Sequence, residues 1–240
     1  HYGKDGCNRH VLIDECRELF GEIYEQIPEW PFCNIWTAMQ LSSRLPKGAL
    51  FHMGVSNTRR CWNMFQLPES VESACNVGCC GIDGCVSTLV GASLVNPDRL
   101  CYVVVGDLTF FYDLNSLGNH HIGTYLRVML VNNGRGTEFR LGIHHCNVFG
   151  DDADKYMAAA GHFGNKSPLL VKHYAEDLGF HYLSATTKEE FMTALSNFTN
   201  PQLSDHSMIL EVFTDSKDES EALYLMSHIQ SDAKGMVRSK

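Results

Sequence analysis

The sequence predicts an α/β fold, a doubly wound and mostly parallel sheet of about six strands flanked by helices, on three observations. Short apolar runs alternate along the chain with segments of helical periodicity. Two of the runs, LCYVVV over Leu100 to Val105 and RVMLV over Arg127 to Val131, are nearly continuous, as in strands covered on both faces. Each is followed at once by Gly, Asp or Asn, so turns fall at the carboxyl ends of strands, where such sheets bind ligands. With 240 residues, 44% hydrophobic and 20% charged, the chain has the makeup of a globular protein of one or two domains.

Leu12, Cys16, Leu19, Ile23 and Ile27 recur every three or four positions and predict a helix that stops near Pro28. A second helix is expected over Asn34 to Arg44, closed by Pro46, so residues 1–45 form a helical lead-in to a main domain over 46–240. Ala49 to Met53 then reads as a strand. Gly54 to Asn57 turns into a helix through Met64, and Val71 to Cys75 is the next strand. A helix is predicted over Ile82 to Leu94, then the strand ending at Val105, a helix around Phe110 to Asn119, and the strand ending at Val131. The stretch from Asn132 to about Asp151 is expected to be loop, followed by helices near Asp152 to Ala160 and Pro168 to Leu178. Phe180 to Leu183 and Ser207 to Phe213 are strands around a helix over Lys188 to Phe198. A helix over Lys217 to Gln230 ends the series.

The formal charge of −9 repels phosphate backbones and anionic lipid surfaces, so no nucleic-acid partner is expected. No apolar stretch approaches the roughly 20 residues of a membrane-spanning helix. Of the ten cysteines, Cys75, Cys79, Cys80 and Cys85 share one short segment and the rest are scattered through apolar stretches, without a CxxC. Free buried thiols and a reducing, cytoplasmic location are the expectation, with an irregular zinc site as the alternative. The chain opens at His1 without Met and is expected to be a piece of something longer.

Chemistry concentrates in two turns. The strand ending at Val105 runs into Gly106-Asp107-Leu108-Thr109, and 26 positions after Asp107 a second strand has run into Asn132-Asn133-Gly134-Arg135-Gly136. If the strands are neighbours, the Asp107 carboxylate, the Asn133 amide oxygen and the Arg135 backbone carbonyl are three hard oxygens of the kind Mg²⁺ prefers, with room for two diphosphate oxygens and a water. Gly106 lets a phosphate approach, and the Leu108 and Thr109 amides can donate to it. Either motif alone reads more simply as a helix cap or a turn; together they favour the ligand.

GDLTFFYDLNSL followed by LVNNGRGTEF resembles the diphosphate-binding motif of thiamine-diphosphate enzymes, which runs from Gly-Asp to Asn-Asn. GVSNTRR at Gly54 to Arg60 and NVGCCGIDGCVSTLVG at Asn76 to Gly91 are similar to the carboxyl-terminal domain of the menaquinone-pathway synthases that join a thiamine-bound succinyl semialdehyde to isochorismate. The wider superfamily holds acetolactate synthase and the 2-oxoacid decarboxylases. The resemblance implies the thiamine-diphosphate-binding fold, with thiamine diphosphate and Mg²⁺ as cofactors and Asp107, Asn133 and the Arg135 carbonyl as metal ligands. It further implies that Ile82 is the aliphatic wedge bending the cofactor, with Cys80 and Gly81 beside the pyrimidine. Ser56 is then a diphosphate hydroxyl, and Gly136 belongs to the same cofactor set. The bland reading of Ile82 is the first core residue of a helix.

Two departures bear on substrate. Where those synthases have Asn-Arg-Gly this chain has Asn76-Val77-Gly78, which leaves Arg60 as the matching substrate arginine; and Glu138 stands where they have an aliphatic residue beside the thiazolium. Glu138 is a candidate for substrate contact or proton transfer, against the reading that it pairs with Arg140 or Arg135 on a solvated loop. The pairs His120-His121 and His144-His145 are not expected to chelate, because adjacent residues on an element point apart; one of the second pair could touch substrate. The activating glutamate of the family lies on an amino-terminal pyrimidine-binding domain absent from this sequence, so that domain or subunit is an expected partner. An oligomer, a dimer or tetramer, and a small 2-oxo acid substrate complete the expectation.

The resulting functional reading is the carboxyl-terminal cofactor domain of a 2-oxoacid decarboxylase or carboligase, inactive by itself. A catalytically silent cofactor-binding or assembly subunit is the alternative. A nicotinamide-dependent dehydrogenase is disfavoured because no GxGxxG occurs.

Overall fold

A computed structural model describes residues 6–142, 144–162, 167–202 and 205–237. Its six strands are β1 (Leu50–Met53), β2 (Glu72–Cys75), β3 (Cys101–Gly106), β4 (Leu126–Asn132), β5 (His181–Ala185) and β6 (Met208–Phe213). They form one sheet in the order β2-β1-β3-β4-β6-β5, and every neighbouring pair is parallel. The helices are α1 (Gly6–Glu25), α2 (Asn34–Ser42), α3 (Asn57–Trp62), α4 (Cys85–Leu94), α5 (Asp107–Tyr112), α6 (Asp152–Tyr156), α7 (Leu170–Asp177), α8 (Lys188–Phe198) and α9 (Ser216–Val237).

The chain divides into two compact units, one of His1–Trp30 with Glu221–Lys240 and one of Pro31–Ser220, which holds the whole sheet. In the first, α1 carries the predicted apolar stripe, of which Leu19 and Ile23 are half-buried while Leu12 and Cys16 are exposed. Among the described residues no helix is long and apolar enough to cross a membrane.

In the second unit the inner strands β3, β4 and β6 are buried along their length because both faces of the sheet are covered there, while the edge strands β2 and β5 are partly exposed. On one face Val103, Val105, Val128, Leu130 and Ile209 pack with Val86, Leu89 and Val90 of α4, Phe110 of α5 and Val171 and Ala175 of α7. On the other, Phe51 meets Trp62 of α3 at 5.2 Å between ring centroids, and Tyr102 meets Phe198 of α8 edge-on at 5.5 Å. α2 adds Trp36, edge-on to Phe191 of α8 at 5.6 Å. Its Asn34 Oδ1 accepts from the buried Trp62 indole N–H at 3.1 Å. Each fully buried side chain of this size contributes roughly 1.5–3 kcal/mol, so covering both faces is what holds the sheet.

The chain passes from β1 to β2 on one side and returns to lay β3 on the other side of β1. That reversal opens a crevice at the carboxyl ends of β1 and β3. Gly54, just past β1, is held against β3 by its N–H to the Val104 carbonyl at 2.7 Å, and a Cβ there would lie 3.0 Å from that oxygen. Only glycine passes so close.

Several helices differ from expectation: α6 ends at Tyr156 rather than near Ala160, α9 runs past Gln230 to Val237, and two more differ at their starts. α4 begins at Cys85 rather than Ile82, because Gly84 has φ +145°, a conformation that ends any helical run reaching back to Ile82. The helix expected over Phe110 to Asn119 begins at Asp107 and ends at Tyr112, followed by a 3-10 turn over Leu114–Gly118. Between the two, the Asp113 carboxylate accepts from the Ser87 N–H at 2.7 Å and hydroxyl at 3.0 Å, capping α4 from outside. The predicted loop after β4 contains two 3-10 turns, Thr137–Arg140 and His145–Phe149.

Candidate functional site at the carboxyl edge of the sheet

Gly106 at the end of β3 is the register partner of Val131 in β4, so Asp107 and the Asn132-Asn133 pair emerge side by side at the same edge. The side chains there are held by a network that periodicity does not reveal. Asn132 Nδ2 donates to Glu211 Oε1 at 2.8 Å, and Glu211 Oε2 accepts from Tyr182 OH at 2.8 Å. Leu130 is opposite Glu211 and Ser184 is opposite Glu211 in register. Asn132 and Tyr182, each two residues removed from those partners, therefore share one sheet face with it. Asn133 Nδ2 donates to Glu219 Oε2 at 2.6 Å, and Thr214 Oγ1 donates to the other Glu219 oxygen at 2.5 Å. Asn133 Oδ1 accepts from the Arg135 N–H at 3.2 Å.

Three carboxylates thus lie buried near one another: Asp107, Glu211 and Glu219 are 2%, 1% and 3% exposed. Burial raises Glu219 to about 7, against the hydrogen bonds from Thr214 and Asn133 that lower it, with the charges of Asp107 and Asp215 pushing further up. Burial likewise raises Glu211, the Asn132 and Tyr182 hydrogen bonds oppose it, and Asp107 adds to the rise. The charge of Asp107 therefore acts on both acids that grip the two asparagines, which places the three in one electrostatic neighbourhood.

Asp107 itself accepts from the Leu108 N–H at 3.0 Å and pairs with His162 Nε2 at 2.7 Å. The Leu108 amide is thereby turned to its neighbour's side chain. Thr109 is buried in α5. His162 is carried to Asp107 by the way the loop after β4 folds back. Arg135 pairs with both oxygens of Asp154, Arg140 Nε lies 3.5 Å from the same carboxylate, Gly136 N–H donates to Ala158 O at 2.6 Å and Gly161 N–H to Gly134 O at 3.3 Å. A Cβ on Gly136 would stand 3.0 Å from the Phe139 ring and 3.2 Å from Leu108, so this turn rests directly against the start of α5.

The third part of the edge is an ion pair. Arg60 of α3 lies 2.5 Å from Glu138, whose other oxygen accepts from the Ser56 hydroxyl. Arg60 also donates to Asn57 Oδ1 at 3.2 Å. Burial acts to raise the Glu138 carboxyl, but the hydrogen bonds from Arg60 and Ser56, with the charges of Arg60 and His144, outweigh it and hold the group below its ordinary value. Neither Arg135 nor Arg140 is the partner; both turn to Asp154. Ser56, the residue before α3, has φ +63°, an uncommon backbone setting for serine that the surrounding contacts enforce.

The segment between β2 and α4 forms the remaining wall. Asn76 pins it, donating to Gly84 O at 3.3 Å and Thr88 Oγ1 at 3.1 Å. Cys80 is exposed with φ +52°, a Cβ at Gly81 would meet the Asp83 carboxylate at 2.5 Å, and Ile82 is half-buried against the core rather than the first residue of a helix. Val77 is exposed.

Cys33, Cys61, Cys85 and Cys101 are buried free thiols, and burial raises Cys33, Cys85 and Cys101 to about 11. The rings of His120 and His121 are 3.8 Å apart, because the pair lies in a turn where alternation does not apply. His144 packs edge-on against Phe139 and accepts from the Cys146 N–H.

Sequence reasoning missed His162, Glu211, Glu219 and Tyr182. A glutamate inside the apolar run SMILEVF was the available signal, since a charge there must be partnered. His162 and Glu219 left no local signal: they lie 55 and 86 positions from their partners.

The donor set suits a hard cation carrying a phosphate. Asn132 is 3% exposed and its Oδ1 has no hydrogen-bond partner, as is also true of the buried Thr137 hydroxyl. A Cβ on Gly106 would meet nothing within 4 Å, so no protein atom fills the space beside that turn. Among the described residues no three His, Cys, Asp or Glu side chains are grouped closely enough to hold a metal by themselves. An ion here would draw on amide, carbonyl and phosphate oxygens as well as one carboxylate.

No family model matches the chain. It is 32% identical over 198 residues to a 2-succinyl-5-enolpyruvyl-6-hydroxy-3-cyclohexene-1-carboxylate synthase of Bacteroides fragilis, covering 82% of this chain and 34% of the relative. Synthases of the same name from Phocaeicola vulgatus and Christiangramia forsetii are also 32% identical, over 200 and 199 residues. The chain spans about a third of the length of these curated relatives. Among solved structures, the thiamine diphosphate-dependent 4-hydroxybenzoylformate decarboxylase of Rhodococcus jostii RHA1 matches with a TM-score of 0.55 and 18% identity, over 78% of this chain and 33% of that one, a likeness of fold.

Proposed function

The chain belongs to the thiamine-diphosphate-dependent enzyme family, and from that premise we propose that it is the cofactor-binding domain of a 2-oxoacid decarboxylase or carboligase. The observation that supports this most is the pairing of Asp107 with Asn132-Asn133 on adjacent strand ends, among buried carboxylates and an unpartnered amide oxygen. Asp107, Asn133 and the Arg135 carbonyl would hold Mg²⁺, and Gly106, Thr109 and Gly136 would receive the diphosphate, while the Leu108 N–H, turned here to Asp107, and the Ser56 hydroxyl, turned here to Glu138, would join them only on leaving those partners. Ile82, with Cys80 and Gly81, would support the body of the cofactor. Thiamine diphosphate, when bound, supplies the electron sink for breaking or forming a bond beside a 2-oxo carbonyl.

The protein's own residues do the rest. Glu211 and Glu219 orient the two asparagines, the Arg135–Asp154 pairing fixes the loop that carries them, and Arg60 with Glu138 lines the substrate end. An amino-terminal pyrimidine-binding domain, on the same polypeptide or a second subunit, completes the site, and the assembly is at least a dimer. Titrating thiamine diphosphate and Mg²⁺ into the complete protein tests this by tryptophan fluorescence. Saturable binding that requires both is expected. Binding of NADH instead, or thiamine diphosphate binding indifferent to chelation of the metal, would overturn it; tight binding with no turnover of any 2-oxo acid would leave a silent subunit.

A further inference from the structure

We infer that Glu138 is a built-in carboxylate occupying the guanidinium of Arg60, so that the substrate group reaching this end of the site is an uncharged hydrogen-bonding group and not a second carboxylate. The inference rests on the cofactor reading above for the location of the substrate. Its own footing is the geometry of three side chains.

Arg60 is the α3 arginine that pairs with Glu138, and its side chain is 39% exposed, open to a ligand. A guanidinium in that position is ordinarily a carboxylate receptor, because its donors match the two oxygens. Here one terminal nitrogen is on Glu138 and the other on Asn57. Glu138 is in turn committed on both oxygens, one to Arg60 and one to Ser56. The Glu138 side chain is only 19% exposed, so the pair is better shielded than a surface ion pair.

Nor is Glu138 a swinging surface group. It lies in a 3-10 turn whose entry is tied by Gly136 N–H to Ala158 O and whose exit is tied by Leu141 N–H to Glu138 O at 3.2 Å, with Phe139 packed on Gly136 and His144. A carboxylate delivered by the fold is present at high effective concentration, and a free carboxylate must compete with it. One that sat beside it would meet a like charge. A hydroxyl, carbonyl or amide meets no such cost and can use the remaining lone pairs and N–H groups of the pair.

The test is calorimetric titration of succinate, as a carboxylate probe, into the complete polypeptide and its variants without cofactor. The protein is expected to bind succinate weakly, Glu138→Ala to gain at least tenfold in affinity, and Arg60→Met/Glu138→Ala to lose that gain. Glu138→Gln, which keeps a hydrogen bond and drops the charge, should gain less; it gives the same ordering should the alanine variant not fold. The inference is overturned if the unaltered protein binds succinate as tightly as the variants, if neither variant gains, or if the gain survives loss of Arg60. Thiamine diphosphate titrated into the same samples reads the cofactor proposal separately: its binding without a succinate gain overturns only the Glu138 inference, and a succinate gain without its binding overturns only the cofactor reading.

Discussion

Glu138 and Glu219 stand on the same edge of the sheet and are pushed in opposite directions. Glu138 has a guanidinium at 2.5 Å and is held below the ordinary carboxylate value; Glu219 has only neutral donors, faces the charges of Asp107 and Asp215, and is lifted to about 7. The first cluster is complete in charge. The second gathers Asp107, Glu211 and Glu219 around two asparagines and one histidine, and burial and the charge of Asp107 push Glu211 and Glu219 towards their neutral forms, a cost that a divalent cation bound there would relieve. The comparison separates an ion pair that closes on itself from a cluster of buried acids held mainly by neutral donors.

The sharpest way to break this contrast is Asp107→Ala. It should weaken Mg²⁺-dependent thiamine diphosphate binding by about 100-fold, or ~2.7 kcal/mol, without lowering the thermal midpoint of the cofactor-free protein, measured by titration and melting side by side. A midpoint that falls with the affinity would make Asp107 a structural acid.

The pH dependence of the two glutamates comes next. Glu219 binds its proton more tightly folded than unfolded, so its contribution to stability is full below about pH 4.5 and is lost as pH rises towards 7. Cofactor-free protein should lose about 1–3 kcal/mol over that range, and Glu219→Gln should flatten the loss in denaturant melts. Glu138 runs the other way: its contribution is present above the ordinary carboxylate range and lost as pH falls below it, so Glu138→Gln should weaken the acid limb of the same curve. Parallel slopes for the two variants would erase the distinction.

The smallest effect is expected from Tyr182→Phe. It removes one hydrogen bond to Glu211 and leaves the grip on Asn132, so stability should fall by about 1 kcal/mol in urea melts with metal affinity little changed.

Much of this architecture was legible before any coordinates. The inner strands announced themselves because both faces of the sheet are covered there, which makes LCYVVV and RVMLV, Arg127 apart, nearly continuous apolar runs. The span of α8 agreed with expectation because Thr187 accepts from the Glu190 N–H and marks the start of the helix. Ile82 misled because apolar spacing continues smoothly into Cys85 while the glycine between them prohibits a helix. At the edge, Asp107 and Asn133 could be read because each follows a strand directly. The pairing of Arg60 with Glu138, 78 positions apart, could not, since it depends on how two loops meet above the sheet.

The place of β6 has a consequence for how the protein is made. This strand pairs between β4 and β5, and Glu211 lies within it and Glu219 just beyond. During synthesis, Asp107 and both asparagines leave the ribosome long before the acids that orient them. Through that interval β4 lacks its neighbour β6, and of the bonds that hold the two carboxamides only that from the Arg135 N–H to Asn133 Oδ1 is available. Insertion of this late strand therefore joins β4 to β5 and brings in the acid that holds Asn132, and a nascent chain stopped before Met208 would lack both Glu211 and Glu219 however well its earlier strands had paired.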